Sequence, residues 1–126
     1  MHSLLIVDDD SHVLKSLTRL LRSKDYNIDC IESPLQALEH CRTREYDLVF
    51  SDQRMPGMTG TQFFTQLAQM YPQTRRILLS GYTDFGTVIE AFNSSIIHKF
   101  VIKPWDNDEL KQLVREQISL RADDKD

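Results

Sequence analysis

Short apolar runs alternate with amphipathic segments along the whole chain. The runs are mostly aliphatic and are too short for helices, which predicts five buried strands. These strands fall at residues 4–7, 28–31, 48–50, 77–79 and 100–102. Between them, apolar residues recur at helical spacing, and each such stripe predicts a helix face packed on a sheet. The stripe after the first strand consists of Val13, Leu14, Leu17, Leu20 and Leu21.

Five strands that each precede a helix predict a doubly wound α/β domain. Parallel strands need crossover connections, and right-handed crossovers place helices on both faces of the sheet. We predict a five-stranded parallel sheet of the flavodoxin-like order 2-1-3-4-5. In that order the winding reverses between the first and third strands, and ligands bind beyond the carboxyl ends of the strands there. Function is therefore expected directly after Val7 and Phe50.

Acidic side chains follow both of these strands. Asp8, Asp9 and Asp10 come after the first strand, and Asp52 comes after the third. Two carboxylates about 4 Å apart repel by roughly 4 kcal/mol at an effective dielectric constant of about 20, so a cluster needs a cation or a raised pKa. Oxygen ligands of this kind suit Mg²⁺ or Mn²⁺. Helix capping by Asp10 or Ser11 is an alternative, but it accounts for one acid only.

A hydroxyl and an ammonium group are predicted at the same edge of the sheet. Ser80 follows the fourth strand and Lys103 follows the fifth. Phosphoryl transfer needs a divalent cation, a positive side chain and a hydrogen-bond donor around the phosphoryl oxygens, and a carboxylate can accept the phosphoryl group. Taken singly, Ser80 would be a turn residue and Lys103 a solvated charge. Their equivalent positions at two strand ends favour a phosphoryl-transfer site.

Composition excludes several other classes of protein. The 126 residues are 40% hydrophobic and 27% charged, which is typical of one compact domain. The formal net charge of −4 provides no basic surface for direct nucleic-acid binding. No apolar run approaches the roughly 20 residues that span a membrane. We therefore predict a cytoplasmic domain at residues 1–121, with a polar tail at 122–126 that is compatible with the start of a linker to an absent output domain.

Cysteine and histidine residues show no metal-site or catalytic spacing. Cys30 and Cys41 lack the spacing of zinc ligands and are interpreted as buried thiols in a reducing compartment. The four histidines form no triad or ligand pattern. They are interpreted as surface residues at positions 2, 12, 40 and 98.

Four segments together resemble the receiver domain of bacterial two-component response regulators. They are LLIVDDD at 4–10, DLVFSDQRMPGMTG at 47–60, ILLSG at 77–81 and KFVIKPW at 99–105. No single segment is decisive, but their order and spacing over residues 3–120 are specific. The segments DQRMP at 52–56, SGYTD at 80–84 and KPW at 103–105 are also similar to receivers fused to cyclic di-nucleotide phosphodiesterase domains or to hydrogenase-type transcription regulators.

The resemblance implies a role for each charged residue of this edge. Asp52 would accept a phosphoryl group from a sensor histidine kinase or a phosphotransfer protein. Asp9 and Asp52 would ligate the metal directly, and Asp8 would act through water. The backbone carbonyl of Arg54 would complete the protein ligands, and Lys103 would pair with the phosphate.

The resemblance also implies which residues shape and regulate the site. The Ser80 hydroxyl would bond the phosphate, and Phe100 stands at an aromatic switch position where Tyr is common. Pro56, Gly60 and Pro104 would shape the site, the last through a cis peptide bond with Lys103.

Two further side chains are expected to control the lifetime of the phosphorylated state. Arg54 and Tyr82 lie two residues beyond Asp52 and Ser80, respectively. In receivers the side chains at these positions flank the route of water to phosphorus. Because both are large here, we expect them to shield the acyl phosphate and slow its hydrolysis.

The function that the resemblance implies is signalling and not enzymatic turnover. Phosphorylation would change the face formed by the fourth helix, fifth strand and fifth helix, which would act on an output domain in the same chain or on a separate target. A homodimer through this face is a further option. Two alternatives stay open: a receiver that docks without being phosphorylated, and a haloacid-dehalogenase-like phosphatase. The phosphatase would also use a strand-end Asp, a hydroxyl, a Lys and Mg²⁺, but it leaves residues 52–60 unexplained.

Overall fold

The chain folds around a five-stranded parallel sheet in the order β2-β1-β3-β4-β5. A computed structural model describes the backbone of residues 1–125 and the side chains of these residues except Tyr82 and residues 122–125. The strands are β1 (His2–Val7), β2 (Tyr26–Ile31), β3 (Leu48–Asp52), β4 (Arg75–Ser80) and β5 (Lys99–Ile102). The predicted strand order and the doubly wound α/β fold are therefore confirmed.

Four α-helices connect the strands, and a fifth follows the last strand in the described part of the chain. They are α1 (Ser11–Leu21), α2 (Pro34–Cys41), α3 (Gly60–Met70), α4 (Phe85–Asn93) and α5 (Asn107–Lys125), and a 3-10 turn at Tyr82–Asp84 precedes α4. A side-chain oxygen accepts a backbone N–H in the first turn of α1, α2, α3 and α5. The capping residues are Asp10, Ser33, Thr59 and Asp106. These short polar side chains explain where the four helices begin.

The central strand β1 divides the hydrophobic core in two. Leu5 and Val7 pack in the cluster that α2, α3 and α4 cover, whereas Leu4 and Ile6 pack in the cluster that α1 and α5 cover. All four side chains are fully buried, as expected for a parallel strand covered on both faces. Each contributes roughly 1.5–3 kcal/mol to folding. This packing on both faces fixes the position of Val7, the last residue of β1, and therefore of the acidic residues that follow it.

The structure corrects two interpretations of single residues. Cys41 is buried as predicted, but Cys30 is exposed, because β2 is an edge strand and is covered less completely. His98 is partly buried rather than a surface residue, and its Nδ1 accepts the backbone N–H of Arg76 at 3.0 Å. Burial, with the nearby guanidinium groups, lowers the pKa of His98 to about 3. This histidine is therefore neutral and structural.

The C-terminal helix continues beyond the predicted end of the domain. Helix α5 runs to Lys125 and so includes most of the segment that the sequence marks as a polar tail. Arg121, the last residue before that segment, is 3% exposed and belongs to the folded domain. The division at residue 121 stays a prediction.

Candidate functional site

The carboxyl ends of β1 and β3 lie side by side at one edge of the sheet. Val7 pairs with Ser51 in the parallel register, so Asp8 and Asp52 follow next to each other. Asp9 joins them, and one carboxylate oxygen from each of the three acids lies within 4.8 Å of the others. The fold thus brings together the three acids that the sequence places after these two strands.

One ammonium group contacts this acidic cluster. Lys103 Nζ lies 2.7 Å from Asp52 Oδ1 and 3.5 Å from Asp8 Oδ2. Burial opposes the charged form of the amine, but the two carboxylates outweigh this effect and raise the pKa of Lys103. Lys103 is therefore an ammonium ion held against the carboxylate that would accept a phosphoryl group.

Asp8 has a buried oxygen that fits a metal site. Burial is the main cause that raises the pKa of Asp8 to about 6, and repulsion from Asp52 and Asp9 adds to it. Its Oδ1 accepts the backbone N–H of Asp10 at 2.9 Å, whereas its buried Oδ2 makes no hydrogen bond among the described residues and has only the Lys103 ammonium 3.5 Å away. A buried carboxylate oxygen without a donor is unfavourable unless a cation or a water fills the place. The residues present therefore fit a divalent, oxygen-loving ion.

Ser80 ends β4 at the same edge of the sheet. Ser80 pairs with Ile102 in register, and its carbonyl accepts the backbone N–H of Lys103 at 2.8 Å. The side chain is nearly fully buried, and its hydroxyl donates to the carbonyl of Gly81 at 3.0 Å. The hydroxyl is therefore hydrogen-bonded within the loop that follows β4. Because Ser80 pairs with Ile102, the next residue on the neighbouring strand's side is Lys103, which contacts Asp52.

The loop between Asp52 and α3 is closed by tight backbone contacts. The Gln53 carbonyl accepts the Gly60 N–H at 3.0 Å, and the Gln53 side-chain oxygen accepts the Thr61 N–H at 2.9 Å. A Cβ added at Gly60 would lie 2.4 Å from the carbonyl oxygen of Asp52, so only glycine fits. Pro56 is exposed in the same loop. Sequence reasoning missed Gln53, although an amide directly after Asp52 was a usable signal.

Arg54 joins this loop to the segment that precedes α4. Its Nε donates to both carboxylate oxygens of Asp84 at 3.0 Å, and its Nη2 lies 2.9 Å from Asp84 Oδ1. The hydrogen bonds and charge of Asp84 raise the pKa of Arg54. Sequence reasoning did not predict a role for Asp84. The side chain of Tyr82, which was expected to act with Arg54, lies outside the described residues.

Phe100 lies on β5 between two phenylalanines of α4. Its ring centroid is 6.2 Å from that of Phe85 and 6.1 Å from that of Phe92, and both contacts are edge-on. Phe85 and Phe92 are 49% and 40% exposed. The predicted switch residue therefore couples β5 to α4 through an aromatic cluster that reaches the surface. The peptide bond between Lys103 and Pro104 is cis, as the resemblance implies.

Comparisons with known proteins agree with this arrangement. Residues 4–115 match the family model described as the response regulator receiver domain. The hydrogenase transcriptional regulatory protein HoxA of Cupriavidus necator is 31% identical over 120 residues, which are 95% of this chain and 25% of that protein. The signal receiver domain of an HD domain-containing protein from Pseudomonas fluorescens Pf-5 is 32% identical, with a TM-score of 0.91 over 98% of this chain and 91% of that chain.

A doubly wound sheet with an acidic cluster and a lysine at its carboxyl edge is the arrangement of a receiver module of signal transduction, and the family match distinguishes it from other classes with such an edge. The chain belongs to the response regulator receiver domain family. It spans about a quarter of the length of the curated relatives it matches, which include the DNA-binding transcriptional regulator NtrC of Klebsiella pneumoniae at 32% identity over 114 residues, 90% of this chain and 24% of that protein. Within the described residues, no helix has the length and apolar character needed to cross a membrane.

Proposed function

We propose that Asp52 accepts a phosphoryl group in a Mg²⁺-dependent reaction and that this modification is the signal. The observation that supports the proposal is the convergence of Asp8, Asp9 and Asp52 with Lys103 at one edge of the sheet. A carboxylate oxygen of Asp52 attacks the phosphorus of the donor, and the bond between phosphorus and the donor atom breaks. The donor leaves with that electron pair, and Asp52 becomes an acyl phosphate.

The acidic residues would hold the metal ion. Asp9 and Asp52 are proposed as direct ligands, Asp8 as a ligand through water, and the Arg54 backbone carbonyl as the fourth protein group. The Oδ2 of Asp8, which makes no hydrogen bond among the described residues and lies 3.5 Å from Lys103 Nζ, supports the water-mediated role. The bound cation supplies neutralisation of charge on the phosphoryl oxygens.

Lys103 and Ser80 would read the phosphorylated state. The Lys103 ammonium already lies against Asp52 and would pair with a phosphoryl oxygen, while the Ser80 hydroxyl would leave the Gly81 carbonyl to donate to another. Two charge-assisted hydrogen bonds of roughly 1.5–3 kcal/mol each approach the roughly 5.5 kcal/mol that shifts a population from 1:99 to 99:1. A minor active population before phosphorylation is therefore expected.

The proposed output surface is the face of α4, β5 and α5. Ser80 precedes the loop to α4, and Lys103 follows β5, so both groups border this face. Phe100 connects it to α4 through Phe85 and Phe92. The partners proposed are a sensor histidine kinase or phosphotransfer protein as donor, and an output domain in the same chain, a separate target or a second copy as receiver of the signal. The chain is then a cytoplasmic signalling domain rather than a turnover enzyme, and Arg54 with Tyr82 slows hydrolysis of its acyl phosphate.

Intact-mass measurement with a small phosphodonor such as acetyl phosphate tests this function. We expect the mass of one phosphoryl group to be added with Mg²⁺, none after chelation, and none in Asp52→Asn. Asp25→Asn removes an exposed acid before β2 and should leave uptake as in the parent. Uptake by Asp52→Asn equal to that of the parent would exclude Asp52 as acceptor. No uptake by the parent would favour the docking receiver, and sustained turnover of an aryl phosphate would favour the phosphatase.

A further inference from the structure

Helix α4 begins differently from the other four helices. Helices α1, α2, α3 and α5 each start with a side-chain cap. Asp84 precedes α4 and is among the residue types that cap best, yet it makes no side-chain capping hydrogen bond. Both of its carboxylate oxygens accept from Arg54 instead. The residue at the cap position of α4 is therefore engaged by the loop that follows the proposed acceptor.

The backbone at Asp84 matches this engagement. Its ψ is 12°, whereas ψ is 108° at Asp10, 128° at Ser33 and 162° at Thr59. An extended cap residue directs its side-chain oxygen to the N–H groups of the second or third helical residue. Asp84 lacks that conformation, so the first turn of α4 is left without its side-chain acceptor.

Arg54 can pair with a second anion. It lies two residues beyond Asp52, and its side chain is 70% exposed. Its hydrogen bonds to Asp84 and to the Thr83 hydroxyl are therefore solvent-accessible and can be replaced by another acceptor. A phosphoryl group on Asp52 carries nearly two negative charges and several acceptor oxygens, and a guanidinium binds such a group with two parallel hydrogen bonds. The single charge of Asp84 is the weaker competitor for Arg54.

We propose that Asp84 is a positioning residue that changes partners when Asp52 is phosphorylated. It pairs with Arg54 in the unphosphorylated state and caps α4 once Arg54 turns to the phosphoryl group. The freed carboxylate then accepts the backbone N–H of Gly86 or Thr87, the second and third residues of α4. This exchange rests on the proposed phosphorylation of Asp52 and links it directly to the start of α4.

The surroundings of this segment leave room for the exchange. A Cβ added at Gly81 or at Gly86 would meet no atom within 4 Å, so neither position is packed against the core. Val88 and Ala91, by contrast, are buried and hold the middle of α4 on the sheet. A rearrangement confined to the first turn is therefore compatible with the packing of the rest of the helix.

Two substitutions at one position separate the ion pair from the cap. Asp84→Asn removes the charge that holds Arg54 but keeps an oxygen that can cap, and Asp84→Ala removes both. In the unphosphorylated protein we expect Asp84→Asn to move the amide resonances of residues 85–93 toward their positions in the beryllofluoride-bound parent. Asp84→Ala should not follow that direction. Equal shifts for the two variants, or no shift for Asp84→Asn, would overturn the exchange.

Hydrogen exchange on the parent chain provides a test that needs no variant. The amides of Gly86 and Thr87 should exchange roughly fivefold more slowly with Mg²⁺ and beryllofluoride than without them, which is the effect of a cap of ordinary strength. If intact mass shows phosphoryl uptake by the parent but the amide hydrogen exchange of Gly86 and Thr87 is unchanged, the partner change is refuted and the proposed function stands. A parent without phosphoryl uptake would refute the proposed function and, with it, the partner change of Asp84 that rests on that function.

Discussion

The two ends of the same sheet hold buried charges in opposite arrangements. At the carboxyl end, three acids face the ammonium group of Lys103, and the buried Asp8 Oδ2 makes no hydrogen bond among the described residues. At the amino end, Asp47 accepts from the Arg121 Nε at 2.8 Å and from the Ser3 backbone N–H at 2.8 Å. The first end holds more acidic groups than basic partners, whereas the second pairs Asp47 with Arg121, although Arg121 Nη1 is itself buried without a hydrogen bond among the described residues.

Arg76 shows that a buried charge does not by itself mark a functional site. Its guanidinium is 3% exposed and donates to the backbone carbonyls of residues 72, 74, 95 and 96. Burial, with repulsion from Arg75, lowers the pKa of Arg76 to about 10, so the group stays charged at neutral pH. The two ends differ in whether the buried charged groups have hydrogen-bonding or oppositely charged partners within the protein.

Breaking the ion pair between Arg121 and Asp47 at the amino end should have the largest effect on the free energy of unfolding. Arg121→Ala removes the guanidinium from Asp47, and breaking a buried ion pair costs about 3–5 kcal/mol. Asp47 is 18% exposed and keeps the Ser3 N–H, so we expect the lower end of that range. Urea unfolding measures the loss. Arg42→Ala is the control, because the Arg42–Glu39 pair is 61% and 76% exposed and should contribute less than about 1 kcal/mol. Similar losses in the two variants would contradict the contrast between matched burial and solvent exposure.

A methyl group at Gly60 should have the next largest effect. Gly60→Ala places a Cβ against the Asp52 carbonyl oxygen, and overpacking of this kind lowers the free energy of unfolding by about 1–3 kcal/mol. Phosphoryl uptake should fall with it, since the Asp52 backbone must move. In Gly86→Ala the new Cβ meets open space, and the helix should gain up to about 1 kcal/mol. A neutral Gly60→Ala would show that the loop adjusts freely.

Acidification should lower the free energy of unfolding through His98, which lies at the amino end of the sheet. Its pKa is about 3 in the folded state against an ordinary value of 6.5 when unfolded, so the unfolded chain binds the proton first. Stability is therefore present above pH 6.5 and falls as the pH drops toward 3, by at most about 1.4 kcal/mol per pH unit. His98→Asn keeps an acceptor for the Arg76 N–H without titrating in this range. Parallel stability curves for parent and variant between pH 7 and 5 would reject this role of His98.

Neutralising one acid at the carboxyl end should have the smallest effect and the opposite sign. Without metal, Asp8→Asn relieves repulsion within the cluster and retains an oxygen for the Asp10 N–H, so we expect a gain of about 1 kcal/mol. Urea unfolding with a chelator measures it. Added Mg²⁺ should stabilise the parent more than the variant. A loss of stability with chelator present would show that Asp8 is matched by Lys103 as fully as Asp47 is by Arg121.

Strand order and the acidic cluster follow from local patterns in the sequence. Buried strands show continuous apolar runs, and their carboxyl ends share one edge, so these patterns are enough to predict that Asp8 and Asp52 lie together. The strand limits were less accurate. Strand β1 begins at His2 and β3 extends to Asp52, because backbone pairing continues into polar residues before the first apolar run and after the third.

Contacts between distant charged residues could not be predicted in this way. Arg121 and Asp47 are 74 positions apart, and Arg54 and Asp84 are 30 apart. Each residue taken alone has the pattern of a solvated surface charge. Only the fold shows that one pair is nearly buried and that the other occupies the cap position of α4.

Helix α5 extends from one end of the sheet to the other. It begins at Asn107, four residues after Lys103, and its Arg121 is held by Asp47 at the far end. About 21 Å of helix separates these two points. With Arg121 as fulcrum, a displacement of about 1 Å at the near end tilts the axis by about 3°. A shift of that size beside Asp52 would therefore change the direction of the helix axis more than it would change the position of its far end.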